Sequence, residues 1–507
     1  TRKIYPNIYK STFIIRRMSF YIYDITFLVL FSLFVGIFLY KRKSNLKREG
    51  IMYLYRTQVG IRFINYVGKK YKKAIGFLAF CGVVVGYGLM ISMLYFLYKL
   101  VYVYLFDPEL VRAIKIPPLM PLIPYLPEAF KIDFLPPFYF TYWIVSIAVI
   151  ALFHEFAHGI VARRYNVKIL TTGFGFLGPF LAAFVEPNEK QMNKKPKYQQ
   201  IAILSAGVFT NFILAIIFFL LLSGFFVAVY TPSGALFNTY TVGEAALGSI
   251  TFIDGKKVSD SSREGILYLI EKNNLTNDLV LGGNGKQLNL IKVAAGDKNY
   301  YITVESLKLQ LENEQASGVI LYEDLPAIHA GLRGAIVGVD DYVVSNYDEL
   351  VAVMKQYNPG DDVVIKTTDS SDGGKEFLEY TITLAESEDG RAVIGIGYLA
   401  NREGMLTKIT EIFNFLKKPA TNYEPRFNGD FILFIYNLIW WLAVINLSVA
   451  LVNMWPVGIF DGGRMFMLTV WAITGSERAG KIAFRIATYL ILGALLLLMV
   501  GWFGAIF

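Results

Sequence analysis

The chain alternates between long apolar stretches and shorter segments rich in charge. Six stretches contain no Asp, Glu, Lys or Arg: residues 25–40, 74–98, 134–153, 199–243, 431–460 and 486–507. Most exceed the roughly 20 residues that an α-helix needs to cross a bilayer. The first is shorter, but Tyr21 and Tyr23 extend it across the single charge of Asp24. This pattern predicts an α-helical multi-pass membrane protein with about six transmembrane helices.

The pattern changes between the fourth and fifth stretches. Residues 231–429 contain short apolar runs separated by Gly, Asp and Asn, which predict a soluble, β-rich insert of α+β type. Residues 324–367 resemble a PDZ domain of the bacterial and archaeal protease type, through Pro326-Ala327, the run Ala330-Gly331-Leu332, and Pro359-Gly360. Ala335 departs from that pattern, which usually has Asp there. Residues 243–305 resemble the same pattern more weakly, so we expect two PDZ-like modules.

These boundaries divide the chain into parts with different expected roles. We expect the natural start at Met18, preceded by an extension at 1–17. The other parts are two transmembrane helices with a basic loop (18–106), a Pro-rich outer loop (107–137), transmembrane helices with the HEFAH motif (138–230), a diverged PDZ-like module (231–308), a second PDZ-like module (309–400), a linker (401–430) and the C-terminal transmembrane helices (431–507).

Composition and charge agree with a membrane protein and exclude a nucleic-acid-binding one. Of 507 residues, 55% are hydrophobic and only 18% are charged, too apolar for a soluble enzyme of this size. The formal net charge of +9 is unevenly spread. Residues 231–429 hold 18 Lys/Arg and 28 Asp/Glu, a net of −10, and the remainder holds 31 and 12, a net of +19. The positive charge lies beside the predicted spans, as membrane topology requires.

The loop at 41–73 sets the expected orientation. It contains eleven Lys/Arg and one acidic residue, Glu49, so the positive-inside rule places it in the cytoplasm. Alternation then makes the third span run inward to Arg163-Arg164 and makes the insert extracytoplasmic. We expect a multi-pass plasma-membrane protein whose third and fifth spans both run toward the cytoplasmic side.

The third span contains the most informative residues, His154, Glu155 and His158. Ionisable side chains at membrane depth are costly and usually mark function. Two histidines at i and i+4 share one helix face and can both reach one Zn²⁺, which lowers the pKa of a coordinated water toward about 7. Glu155 lies beside the first histidine, where it can accept a proton. The alternative is a buried histidine pair with Glu155 as its partner.

A catalytic zinc site needs a third protein ligand. His329 is the only other histidine and lies in the predicted outer insert, so we interpret it as structural or solvent-facing. The best candidate is Asp461, directly after the fifth apolar stretch, because Asp430 and Glu477 fall at the outer end or beyond the motif. The alternative for Asp461 is an ordinary turn residue before two glycines.

Taken together, the motifs resemble the site-two protease family of intramembrane zinc metalloproteases. They are HEFAH within a span, Gly207-x-x-x-Asn211 in the next, and Asn453, Pro456, Asp461 and Gly462 after the fifth. The two preceding spans resemble archaeal members, and Phe460 departs from the family's usual Leu. The resemblance implies that His154, His158 and Asp461 bind zinc, that Glu155 is the catalytic base, and that Asn211 binds substrate or stabilises the oxyanion.

The same resemblance gives a role to residues 171–189. In the family this stretch forms a membrane-embedded hairpin whose edge pairs with an unwound substrate strand, which would replace backbone hydrogen bonds lost on unwinding. We therefore expect Gly173, Phe174 and Gly175 to bind substrate. The alternative is a plain cytoplasmic loop.

Two classes of function remain open on the sequence. The first is an intramembrane zinc endopeptidase that cuts transmembrane segments of membrane proteins near the cytoplasmic side, with the bilayer around it and peptide ends bound by the PDZ-like modules. The second is a non-proteolytic membrane scaffold or chaperone with a structural metal. Glu155 favours the first, because a structural metal site does not need it. A lesser alternative, the multi-pass zinc proteases that trim prenylated proteins, would need a downstream glutamate ligand.

Overall fold

The computed structural model describes residues 9–43, 46–49, 52–107, 111, 117–118, 120–130, 132, 135–177, 180–276, 279–283, 286–312, 317–368, 377–398, 417–427 and 429–506. Residues 1–8 of the expected N-terminal extension and residues 401–416 of the expected linker lie outside them. The chain divides into two compact units, which we call the helical unit (Lys10–Phe225 with Leu433–Phe507) and the insert (Phe226–Ile432).

Helices and strands are numbered in chain order over the described residues. The helices are α1 (Tyr9–Lys41), α2 (Ile61–Lys70), α3 (Lys72–Phe106), α4 (Leu126–Ala129), α5 (Phe140–Arg164), α6 (Glu189–Asn193), α7 (Lys197–Val229), α8 (Arg263–Lys272), α9 (Val304–Leu311), α10 (Pro326–Ala330), α11 (Tyr347–Met354), α12 (Gly429–Val452), α13 (Asp461–Thr474) and α14 (Glu477–Ile506). The strands are β1 (Leu46–Glu49), β2 (Met52–Thr57), β3 (Ile169–Leu177), β4 (Phe180–Pro187), β5 (Tyr230–Ala235), β6 (Thr239–Tyr240), β7 (Val242–Ala246), β8 (Ile250–Ile253), β9 (Lys256–Lys257), β10 (Leu279–Gly283), β11 (Lys286–Ala295), β12 (Lys298–Ile302), β13 (Gly318–Glu323), β14 (Ala335–Val339), β15 (Tyr342–Val343), β16 (Asp362–Thr368), β17 (Phe377–Thr383), β18 (Ala385–Glu386), β19 (Ala392–Val393), β20 (Ile396–Gly397) and β21 (Thr421–Pro425).

Six of the described helices are long and apolar enough to cross a membrane, which confirms the predicted number. They are α1 from Phe20, α3, α5, α7, α12 and α14. The fifth apolar stretch is not helical throughout. α12 ends at Val452, and residues 453–460 form an irregular loop before α13. Pro456 and Gly458 lie in this loop and disfavour a continuous helix.

The charge within the first span is a structural contact between two helices. Asp24 on α1 is 2% exposed and accepts hydrogen bonds from the backbone N–H groups of Phe140 (2.7 Å) and Thr141 (2.9 Å). The hydroxyl of Tyr125 also donates to it. α5 has no side-chain cap of its own, so Asp24 satisfies N–H groups that the first turn of a helix leaves unpaired. A carboxylate of α1 therefore fixes the start of α5.

A four-stranded antiparallel sheet belongs to the helical unit, in the order β1-β2-β3-β4. The strands β3 and β4 form a hairpin, as the family resemblance implied. The basic loop supplies the other two strands, and β2 pairs with β3 from Tyr53↔Phe176 to Thr57↔Thr172. A Cβ atom on Gly173 would lie 2.2 Å from the carbonyl oxygen of Tyr55, so glycine is required where these strands meet.

The insert contains two main antiparallel sheets, each with its own core. The first has the order β7-β13-β12-β11-β8-β9, with β10 against β11, and the second has the order β17-β16-β14-β5-β21, with β15 against β14. α8 and α9 pack on the first core through Ile266, Ile270 and Leu307. α11 packs on the second through Leu350 and Val353. Each of the two sheets thus has at least one helix packed on its core.

The division between the two sheets falls later than the predicted boundary at 308/309. That position lies inside α9, and β13 beyond it pairs with β7 and β12 of the first sheet. Leu311, Val319 and Leu321 belong to the core of the first sheet. The second sheet is completed by β5 and β21, which pair with each other and lie near the two ends of the insert. Such distant partners have no local sequence signal.

Candidate metal centre

The HEFAH motif lies in α5, whose regular geometry sets the spacing of its side chains. His154 and His158 are one turn apart, and their Nε2 atoms lie 3.0 Å from each other. The two imidazole rings are nearly perpendicular, at 79°. Both side chains are largely enclosed, with exposed fractions of 11% and 13%. α5 therefore brings together two imidazole nitrogens that could bind one metal ion.

Asp461 reaches the same point from the first residue of α13. Its Oδ2 atom lies 3.4 Å from Nε2 of His154 and 3.4 Å from Nε2 of His158. The preceding loop is held by a hydrogen bond from Gly462 N to the carbonyl of Asn453 (2.7 Å). A Cβ atom on Gly462 would come within 2.4 Å of the backbone of Met454. A glycine at position 462 is thus needed for the tight fold of this loop.

The three candidate ligand atoms have separations close to those of a zinc site. Their separations are 3.0, 3.4 and 3.4 Å. Ligand atoms about 2.0–2.1 Å from a tetrahedral zinc ion lie about 3.3–3.4 Å from one another. Two imidazoles and one carboxylate, with one position left for water or substrate, are also the donor set of catalytic zinc sites. Within the described residues, this is the group of His and acidic side chains placed to hold a metal.

The second nitrogen of each imidazole has a partner that fixes the ring. Nδ1 of His158 lies 2.7 Å from the carbonyl oxygen of Ile203 on α7, an acceptor that requires a proton on Nδ1 and leaves Nε2 free to bind metal. Nδ1 of His154 lies 3.0 Å from the side-chain amide of Asn211 on α7. The Oδ1 atom of this buried amide has no other partner. A half-turn of the amide lets Oδ1 accept the Nδ1 proton of a metal-binding His154.

α7 approaches the histidines closely because it has a glycine at the contact. A Cβ atom on Gly207 would lie 2.4 Å from Nε2 of His158 and 2.6–2.7 Å from atoms of the His154 ring. These distances are far shorter than non-bonded contacts allow. Gly207 and Asn211, one turn apart, therefore form one wall of the site.

Glu155 lies beside the histidines and contacts the sheet. Its Oε2 atom accepts a hydrogen bond from the backbone N–H of Val185 on β4, at 3.0 Å. β4 is one of the two terminal strands of the sheet, and this N–H points away from β3 toward α5. The carboxylate is thus held between the histidines and the outer edge of β4.

The substrate-binding prediction for Gly173, Phe174 and Gly175 needs correction in one respect. These residues lie on β3, which pairs with β2 on one side and with β4 on the other. Their backbone cannot add a further strand, because the basic loop already covers that edge. In the hairpin formed by β3 and β4, the strand with an outer edge that no described strand covers is β4, which contains Val185.

The remaining candidates have other partners. Nε2 of His329, in the insert, lies within hydrogen-bond distance of Oδ1 of Asp324, and the imidazole packs against the ring of Tyr301 at 5.7 Å. Its side chain is 56% exposed, in line with the prediction that it is solvent-facing. Glu477 pairs with Lys481 at 2.8 Å. Sequence reasoning did not find the contributions of Ile203 and Val185, because both act through backbone atoms that any residue supplies.

Comparison with known proteins identifies the class. The model of peptidase family M50 matches residues 142–497, which covers α5, the insert and most of the C-terminal helices. This chain belongs to peptidase family M50, the site-two protease family. It is accordingly a zinc metalloprotease built as a multi-pass membrane protein.

Individual relatives are distant but match over most of their length. A protein of Pasteurella multocida (strain Pm70), described as a "Putative zinc metalloprotease", is 21% identical over 431 residues, which cover 70% of this chain and 96% of the relative. A protein of Xylella fastidiosa (strain 9a5c) with the same description is 22% identical over 427 residues, 67% of this chain and 92% of the relative.

Proposed function

We propose that this protein is an intramembrane endopeptidase that cuts transmembrane segments of other membrane proteins, using a zinc ion held by His154, His158 and Asp461. The observation that carries the proposal is the ligand triangle with edges of 3.0, 3.4 and 3.4 Å, formed by side chains of α5 and α13. A carboxylate that no ligand role requires, Glu155, lies beside it. A structural metal site would not need this carboxylate.

Zinc, when bound there, supplies Lewis-acid chemistry that lets a water molecule lose a proton near neutral pH. Glu155 accepts that proton as the water oxygen bonds to the scissile carbonyl carbon. Glu155 then donates it to the amine nitrogen as the C–N bond breaks. The products are a new carboxyl terminus and a new amino terminus. The enclosed position of both histidines limits access of bulk water, which strengthens the electrostatic interactions within the site.

The edge of β4 is the proposed place for the substrate. A transmembrane helix shields its peptide bonds, so the cleaved segment must unwind, and pairing with β4 would restore its backbone hydrogen bonds. The Val185 N–H then turns from Glu155 to the carbonyl of the added strand. Entry of the substrate therefore frees the Glu155 carboxylate at the place where the scissile peptide bond arrives. Glu155 is then available to act as the base.

Asn211 has a proposed role in orienting His154. Its contact with Nδ1 supports a partner that fixes the tautomer and ring plane of a zinc ligand. An oxyanion role, which the sequence resemblance implied, requires the amide to leave His154. We therefore propose ligand orientation as its resting function.

The proposal also includes a role for the insert and an orientation of the chain in the membrane. We propose that its two sheets are PDZ-like modules on the extracytoplasmic side, and that they bind trimmed peptide ends before the cut near the cytoplasmic side. The helix α11 beside β14 and the Pro326–Ala330 helix support the resemblance for the second module. The basic loop that supplies β1 and β2 supports a cytoplasmic sheet by its charge.

Cleavage of a model single-span substrate by the purified full chain tests the function. We compare the wild type with Glu155→Gln, and use Glu189→Gln, an exposed position on α6, as the matched control. We expect Glu155→Gln to lower the rate by about 10²–10⁴-fold with zinc content unchanged. The Glu189→Gln variant should cleave normally. A wild type that binds a full equivalent of zinc but cuts none of several substrates would favour the scaffold alternative.

A further inference from the structure

We propose that α2 is a binding surface for the headgroups of anionic phospholipids, and that its occupancy sets the position of the catalytic helix α5. The catalytic part of this inference rests on the proposed function, whereas the binding part does not. α2 is too short to span a bilayer, and it joins the basic loop to the second span.

The charge of this region is of one sign. Between Gly50 and Phe106 the sequence contains no Asp or Glu. Basic side chains cluster on α2 and the first turn of α3: Arg62, Lys69, Lys70, Lys72 and Lys73. All five are exposed. A run of Lys and Arg beside a span attracts anionic headgroups, and each basic side chain strengthens the association on the order of fivefold.

The connection to α3 places α2 at the membrane boundary. α2 ends at Lys70, α3 begins at Lys72, and the uncharged run of α3 starts at Ala74. The guanidinium of Arg164, the last residue of α5, donates to the carbonyl of Lys72 at 2.6 Å. The end of α5 and the start of α3 therefore lie at the same level. α2 must lie within a few residues of the hydrocarbon core.

The outer face of α2 combines aromatic and basic side chains. Phe63 and Tyr66 are 55% and 54% exposed, and Tyr71 follows the helix. The ammonium of Lys70 lies over the rings of Tyr66 (4.8 Å) and Tyr71 (5.5 Å). Exposed aromatics beside lysines are typical of helices that lie in a bilayer interface. They favour a phospholipid over a free phosphate ion, because a free ion would leave the rings in water.

The inner face of α2 packs against the part of α5 that carries the motif. Ile64 is fully buried, and a Cβ atom on Gly159, the residue after His158, would lie 3.1 Å from it. A Cβ atom on Gly60 would lie 2.6 Å from the ring of Phe156, the residue after Glu155. Contacts this close leave α2 no room to shift unless α5 shifts with it.

A second close contact lies one turn further along α5. A Cβ atom on Gly68 would lie 2.8 Å from the carbonyl oxygen of Ile160 and 2.6 Å from Cβ of Arg163. α2 thus touches α5 at residues that follow Glu155 and His158 and at the turn after them. Headgroups bound to the outer face hold α2 against α5. This contact keeps His154, His158 and Glu155 on α5 in position.

The test uses the full chain reconstituted in vesicles of phosphatidylcholine, alone or mixed with phosphatidylglycerol. One variant combines Lys69→Gln with Lys70→Gln. The matched control combines Lys190→Gln with Lys194→Gln, which removes the same charge from exposed positions outside α2. Hydrogen–deuterium exchange over residues 61–71 reports binding, and zinc content and substrate cleavage are measured in parallel. Added glycerol phosphate in phosphatidylcholine vesicles tests the free anion.

We expect phosphatidylglycerol to slow exchange over 61–71 and to raise cleavage on the order of fivefold or more, with zinc content unchanged. The α2 variant should lose both responses and the control should keep them. Equal exchange and equal cleavage in the two lipids, an unchanged response in the α2 variant, or full rescue by glycerol phosphate would overturn the proposal. If no vesicle supports cleavage, the proposed function fails, and the exchange data alone still decide whether α2 binds the lipid.

Discussion

The helical unit and the insert differ in where they place apolar side chains, because the spans of the helical unit carry many of them on their outer surface. In the helical unit, Leu220 is 62% exposed while Asn211 on the same helix is fully buried. In the insert, Leu307 and Leu321 are buried at 0% and 1%, whereas Glu388 has a side chain 88% exposed. Lipid accepts apolar side chains on the outside of a helix, whereas water drives them into a core.

This contrast changes which residues identify a site. Burial of an apolar residue locates the cores of the insert. In the helical unit apolar side chains lie both inside and on the lipid-facing surface, so buried polar and small residues carry more information there. There Asp24 fixes the start of α5, Gly207 admits α7 to the histidines, and Asn211 contacts His154. Asp24 and Asn211 are costly within a membrane unless each has a hydrogen-bonding partner, and Gly207 matters because it allows two helices to approach closely. Substitutions in the two units should therefore follow different rules.

The largest effect is expected at Gly207. Gly207→Ala places a methyl group 2.4 Å from Nε2 of His158, so we expect loss of zinc and a fall in cleavage of more than about 100-fold, by analogy with losses on misplacing catalytic groups. Gly224→Ala on the same helix has open space at its Cβ position and serves as the control. Zinc analysis and cleavage assays measure both. Normal zinc content in Gly207→Ala would contradict the close approach of α7.

The same substitution should have unequal effects in the two units. Leu321→Ala on β13 removes a buried side chain and should lower the local stability of the insert by about 2–5 kcal/mol. Leu220→Ala on α7 removes a side chain that faces lipid and should change stability by less than about 0.5 kcal/mol. Hydrogen exchange of the full chain in detergent measures both. Similar losses of stability at the two positions would contradict the proposed difference between the insert and the helical unit.

A smaller loss is expected at Asp24, where a buried carboxylate receives donors from α5 and from Tyr125. Asp24→Ala leaves the first N–H groups of α5 without an acceptor, at a cost of about 1–3 kcal/mol. Tyr125→Phe removes a single donor and should cost less. Thermal unfolding of the full chain compares the two variants. An Asp24→Ala protein as stable as the wild type would mean that Asp24 does not anchor α5.

The smallest effect concerns pH and the insert. Hydrogen bonds from the hydroxyl of Tyr357 (2.7 Å) and the N–H of Val364 (2.7 Å) hold the pKa of Asp340 below its ordinary value of 3.8. A carboxylate with a lowered pKa stabilises the fold above its ordinary pKa, and this stability is lost as pH falls through the lowered value. Asp340→Asn should reduce the acid sensitivity of exchange near β14 and β16. If the pH dependence of exchange in Asp340→Asn equals that of the wild type, Asp340 does not link the stability of this sheet to pH.

The helices of the membrane region were predictable from the sequence because their signal is local. An uncharged run of sufficient length gives a span, and His154, Glu155 and His158 lie within five residues of one helix. Asp461 was found only by combining its position after a span with the need for a third ligand. The structure brings the side chains of His154, His158 and Asp461 together, as that reasoning predicted.

The remaining features depend on distant pairing, which a single sequence does not reveal. The charged loop at 41–73 gave no sign that Met52–Thr57 would pair with β3. This pairing covers the edge of β3 and leaves β4 as the strand of the hairpin with an uncovered outer edge among the described strands. Asp24 was visible only as an interruption of the first span, whereas its partners lie more than one hundred residues away. The hydrogen bond from Val185 to Glu155 uses a backbone atom and leaves no residue signature.

X-ray absorption of the zinc-loaded full chain tests the central assignment most directly, with the wild type compared to Asp461→Ala. We predict four nitrogen or oxygen donors at about 2.0–2.1 Å, with the scattering of two imidazoles, and a weaker zinc affinity with an altered spectrum in Asp461→Ala. A site with three imidazoles, or a spectrum and affinity unchanged by Asp461→Ala, would contradict a zinc centre built from His154, His158 and Asp461.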